Sequence, residues 1–172
     1  MMHWVMTAPS RREGAATSAA PFDAVVLCER AIVIGIDQEL RQRWDRALDL
    51  ASAKADDQNV PEPTRYDALR MLAAEPWAKR GAQLTRYLAK VTPAELQAGA
   101  VAAVGDVEGP EAAAALLEAL PGLTPDNRNA AVDALLRDES RAAALENALQ
   151  AGKVDRKLID AAHRRRLPNG SR

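Results

Sequence analysis

Two histidines, His3 and His163, and one cysteine, Cys28, supply every imidazole and thiol in the 172 residues. That set cannot form an intrachain disulfide or a thiolate-rich zinc cage. Cys28 lies between apolar neighbours with no histidine near it in sequence, so it reads as an inert buried thiol rather than a nucleophile. His163, beside Arg164, Arg165 and Arg166, reads as part of a solvated basic run complementing a helix C-terminus. The adjacent carboxylates Asp56-Asp57 and Asp138-Glu139 point in different directions at a helix end, and nothing nearby would raise a pKa, so they read as surface groups. Trp44, Tyr66, Trp77 and Tyr87 stand among leucine and alanine at helical spacing and read as core rather than as a base-stacking face. The glycines form neither a dinucleotide fingerprint nor a P-loop. The expectation is a chain with no catalytic residues, no metal site and no cofactor, and therefore not an enzyme.

The elements that position these groups follow from composition. With 37 alanines, 19 leucines and 3 % aromatics, the chain favours helix over sheet, because alanine loses no side-chain entropy in a helix. A hydrophobic fraction of 48 % permits a packed core. No apolar run approaches the roughly 18 residues of a membrane span, and Arg11-Arg12-Glu13 is followed by small polar residues rather than a signal-peptide core. Neither membrane insertion nor a signal peptide is expected, which makes the cytoplasm the default compartment. Residues 1–36 read as a leader without stable structure, although the β-branched run 24–35 could form a lone strand. Helical spacing begins with the stripe Leu40, Trp44, Leu48.

Residues 37–167 are self-similar. Ala68, Ala100 and Ala131 each open an Ala-[Leu/Val]-x-x-[Leu/Val] segment, with spacings of 32 and 31 residues. A second element follows each: Leu84 and Leu88, Leu116 and Leu120, Leu145 and Leu149. Each unit is thus a helix pair, and the predicted helices span 38–55, 63–74, 78–90, 93–104, 110–120, 125–137, 139–151 and 155–166. Thr92-Pro93-Ala94-Glu95 reads as a capping box, Thr124-Pro125-Asp126 as a second cap, and Gly109-Pro110 as a helix start. Gly122 and Gly152 read as left-handed stops. The predicted fold is all-α, a short HEAT-like α-solenoid of paired antiparallel helices, with a tail at 168–172.

The stretch from Leu123-Thr124-Pro125 to Asp133-Ala134-Leu135-Leu136-Arg137, with Glu146-Asn147-Ala148-Leu149-Gln150-Ala151-Gly152-Lys153-Val154, carries a family resemblance. Over about 60–167 the chain is similar to the HEAT-like segment of large exported bacterial membrane-bound dehydrogenases. In that family the segment lies between a sorbosone-dehydrogenase-like β-propeller and a cytochrome c module. The sequence has no Cys-x-x-Cys-His, so the resemblance implies the scaffold part of such a protein and not its haem attachment.

Charge is segregated. Residues 91–139 carry nine acidic and two basic side chains, while 153–172 carry seven basic and two acidic ones, in a total that nearly cancels. This pattern suits protein contact better than nucleic acid, which needs a continuous basic stripe. On the last predicted helix Leu158, Ile159, Ala162 and Leu167 form an apolar stripe, with Leu167 expected to lie uncovered past its end. Leu158, Ile159, Arg164, Arg165, Arg166 and Leu167 are accordingly the predicted protein-contact edge, for a partner protein or a second copy. The functional reading is a non-catalytic interaction scaffold; the alternatives are a HEAT-like nucleic-acid-binding or base-repair protein and an accessory to a haem or electron-transfer protein.

Overall fold

The structure, a computed structural model, describes the backbone of residues 22–167 and the side chains of residues 37–167. The first part of the expected leader, residues 1–21, the tail 168–172 and the side chain of Cys28 lie outside the described residues. Every described element is helical: α1 Phe22–Asp56, α2 Glu62–Met71, α3 Trp77–Tyr87, α4 Ala94–Asp106, α5 Pro110–Ala119, α6 Pro125–Leu135, α7 Glu139–Gln150 and α8 Ala161–Arg165. Short 3-10 turns extend α2 and α5 and precede α8. The chain divides into two units, residues 1–42 and 43–172. Among the described residues, no helix is long and apolar enough to cross a membrane.

Two expectations at the N-terminal side are corrected. The backbone from Phe22 is helical, so 22–36 is neither a strand nor without regular structure; a β-branched run yields to helix when the flanking sequence propagates it, since propensities differ by only tenths of a kcal/mol per residue (roughly 0.7 at most for ordinary residues). The inward stripe of α1 is Leu48, Ala51 and Ala55, while Leu40 and Trp44 are about half exposed. Leu48 to Ala55 is the stretch that faces α3, bonded through Ser52 to Gln83 and through Asp49 to Arg80.

Within the second unit, α2, α4 and α6 pack side by side, as do α3, α5 and α7, and α4 meets both α3 and α5. Proline at the first turn starts α5 and α6, where its missing N–H is no loss. Thr124 caps α6 by accepting from Asn127 N. The expected capping box at Thr92 does not form: Pro93 occupies the cap position of α4 and no side chain bonds there. Gly152 is left-handed at φ 68°, whereas Gly122 sits in a 3-10 turn that needs no positive φ.

The core is leucine, valine and alanine. Val101, Leu116, Leu120, Val132, Leu135 and Leu145 are all buried in one cluster that runs from Ala51 to Leu167. Close helix approach requires small residues. A Cβ on Gly105 would lie 2.9 Å from Ala134 Cβ on α6, and one on Gly99 would lie 3.0 Å from the Tyr66 ring on α2. Leu135→Ala is expected to lower stability by about 2–5 kcal/mol. Val91→Ala, at a side chain 93 % exposed, is expected to change it by less than about 0.5 kcal/mol. Urea unfolding followed by circular dichroism checks both; equal midpoints would contradict this packing.

Candidate functional site

The C-terminal edge is built by two aspartate caps. Asp155 accepts from Lys157 N at 2.9 Å and holds the 3-10 turn Arg156–Leu158. Asp160 accepts from His163 N at 2.8 Å and starts α8 afresh. The predicted continuous helix 155–166 is therefore broken at Ile159-Asp160, and the break changes what faces inward. Ile159 and Leu167 are buried in the core and Leu158 is half-buried, so the expected uncovered Leu167 is corrected. After only five helical residues the chain turns, with Leu167 N donating to Arg164 O, and the leucine tucks under α8.

His163 is also buried rather than solvated. Its Nε2 lies 3.3 Å from Asp133 Oδ1 on α6, and its Nδ1 lies 2.8 Å from Asp160 Oδ2, off the direction of a hydrogen bond. Arg166 Nη1 donates to the same Asp133 oxygen. The Arg166 bond holds the Asp133 carboxyl below its usual range against the opposing effect of burial, with His163 adding to it. Asp160 is lowered mainly by the backbone N–H of His163. Arg164 and Arg165, by contrast, are exposed and pair with no carboxylate among the described residues. What remains presented at this edge is positive charge, Arg164 and Arg165 on α8 beside the exposed Arg156 and Lys157 of the turn, with the apolar stripe mostly turned inward.

An acidic counterpart lies between the starts of α5 and α7. A cavity of about 550 Å³ has Pro110, Ala113 and Ala144 as its apolar wall and Glu108, Asp138 and Ser140 at its polar side. Arg141 forms part of it but is spent: its guanidinium donates to Gly105 O and Val107 O and pairs with Asp138. Asp138 also caps α7 by accepting from Arg141 N at 2.9 Å, and this bond leads the lowering of its pKa. Glu108, Glu111 and Glu139 are exposed and have no basic partner among the described residues. This arrangement can receive a cation; it offers no nucleophile–base pair, and no group of three metal-binding side chains occurs among the described residues.

Of the other residues considered, Tyr66, Trp77 and Tyr87 are half-buried and Trp44 is half-exposed. Asp56 is not a bare surface group: burial pushes it up, but hydrogen bonds from Tyr87, Arg86 and Gln83 outweigh that and hold it low. Sequence reasoning missed a second cavity beside it, lined by Arg65 and Arg86. Its arginines come from different helices, and no local motif joins them.

The two lowered carboxylates on α8 and α6 contribute stability above the ordinary carboxylate range and lose it as pH falls through their depressed folded values. Asp133→Asn is expected to lower the melting temperature slightly at pH 7, by the equivalent of about 1 kcal/mol or less, since the pair is half exposed. Its deficit should shrink as pH falls below the ordinary carboxylate range and through the depressed folded value of Asp133; a deficit that does not change with pH on that descent would contradict the assignment. Comparison of the chain with protein-family models, with curated proteins and with solved structures finds no match.

Proposed function

We propose that the chain is a HEAT-like α-solenoid segment acting as a non-catalytic protein-interaction scaffold, of the kind found in the larger exported redox proteins it resembles. The two rows of helices support this reading, as do bonds that recur about one repeat apart. Asp106 pairs with Arg137, Asp133 with Arg166, Asp49 with Arg80, and Ala94 O accepts from Asn127, at separations of 31, 33, 31 and 33 residues. Such arrays bury one face of each repeat on the next and bind partners along exposed surfaces.

The observation that carries the interaction reading is the unpaired Arg164 and Arg165 at one end, against the unpaired Glu108, Glu111 and Glu139 around the acidic cavity. Opposite charges left without internal partners favour a contact between copies, the basic end of one meeting the acidic mouth of the next. That contact is heterologous, steered by charge and weakened by salt.

Sedimentation velocity at tens of micromolar protein, in about 20 mM and about 300 mM salt, where the Debye length falls from roughly 20 Å to roughly 6 Å, tests it. Association is expected at low salt only, and its loss in Arg164→Glu/Arg165→Glu. A monomer under both conditions, or association indifferent to the double substitution, would overturn the head-to-tail reading.

A further inference from the structure

The second cavity, about 360 Å³, lies away from the basic end and the acidic mouth and is lined by Arg65, Arg86, Tyr87, Thr92, Pro93 and Leu96, with Gln58 at its rim. Every polar side chain of its lining can donate a hydrogen bond, and no carboxylate is part of it. Arg65, half-buried on α2, donates from Nε to Ala55 O at 2.9 Å and from Nη2 towards the Tyr87 hydroxyl at 3.4 Å. It makes no ion pair among the described residues, and its Nη1 takes no partner there. Arg86 spends Nη2 on Asp56 Oδ2 at 2.9 Å and leaves Nε and Nη1 open. The Thr92 hydroxyl and Gln58 amide are likewise without protein partners among the described residues. The Tyr87 hydroxyl is committed to Ala55 O and Asp56 Oδ1, which fixes its ring as a wall.

Charge decides the class of guest. Two arginines line the cavity; Asp56 pairs with Arg86, so Arg65 is the lining charge without a carboxylate partner among the described residues. One planar, singly charged oxyanion balances that charge and matches a guanidinium fork, as a carboxylate does. Pro93, Leu96 and the Tyr87 ring supply an apolar wall for a short carbon chain, and the volume is at the lower end for small-molecule sites. We propose that this cavity binds a small aliphatic monocarboxylate, its oxygens on Arg65 and Arg86.

An amide NMR titration of the full chain with butyrate, butyramide and inorganic phosphate tests the proposal. Butyrate is expected to shift the Tyr87, Thr92 and Leu96 amides saturably with a dissociation constant of about a millimolar, as its few heavy atoms allow. Butyramide, the same shape without the charge, and Arg65→Gln with butyrate should each bind about tenfold more weakly. Arg65→Lys, which keeps the charge and loses the fork, should fall between. Should Arg65→Gln not fold, Arg86→Gln decides in its place, because Arg86 is 66 % exposed and outside the core. No saturable shift with butyrate, equal binding of butyramide, or indifference to the arginine substitutions would overturn the site. Phosphate binding tighter than butyrate would overturn the carboxylate assignment.

Discussion

Helix α4 has almost no free face, and the rest of the second unit is arranged around that constraint. Eight of its thirteen residues, from Leu96 to Gly105, are buried. A helix enclosed on several sides admits neighbours at short range only if its own side chains are small, and Gly99, Ala100, Ala103 and Gly105 meet that condition. The one large polar group it buries, Gln97, is bonded through both its oxygen and its amide nitrogen. Its oxygen accepts from Thr124 N and Asn127 Nδ2, and its amide donates to Ala89 O, so it ties the end of α3 and the start of α6 to α4. An unpaired amide at that depth would cost more than the bonds return, so Gln97 and Asn127 fix the register of α6 on α4 as well as its distance.

A second recurring device follows from helix ends. The last carbonyls of a helix have no intrahelical donor, and here arginines from later helices supply one. Arg65 on α2 donates to Ala55 O of α1, Arg128 on α6 to Leu120 O after α5, and Arg141 on α7 to Gly105 O of α4. Arg137 is used similarly, on Asp106 and Gly105 O. These internal uses explain the surface charge. Arg128 and Arg137 are the two basic residues in the acidic middle of the sequence, and both turn to earlier helix ends, leaving Glu108, Glu111 and Glu139 outside. The acidic face is thus a by-product of how the helices are capped as much as of how many carboxylates the chain carries.

Much of this was legible in the residues. The spacing of leucine, valine and alanine located α2 to α7, six of the eight helices, to within a few positions and named Val101, Leu116, Leu120, Val132, Leu135 and Leu145 as core, because burial repeats with the helical period. What was not legible depends on partners distant in sequence. Leu40 and Trp44 continue the apolar spacing of Leu48, yet period alone does not say where a neighbouring helix stops. The 22–36 stretch has strand-like composition and helical backbone. Gln97, Arg65 and Arg141 look like surface residues until the helices that need their donors are in place.

The C-terminal end shows how one cap decides what a surface presents. Had the helix run unbroken from 155, Leu158, Ile159 and Ala162 would have shared its inner face and Leu167 would have projected beyond it. Asp160 instead ends the preceding turn and starts α8 with a new phase, its carboxylate fixed by His163 N. In that phase His163 turns inward between two carboxylates and Arg166 reaches Asp133, while Leu167 folds beneath as the chain leaves the helix. Residues 164 and 165 lie roughly 100° and 200° around the axis from 163, which is the solvent side. The same cap that buries the apolar residues of this segment therefore selects which two of its three consecutive arginines remain uncompensated, and it is their position on a short helix held by Asp133 and Asp160, rather than the length of the basic run, that gives this edge a defined pair of charges to offer.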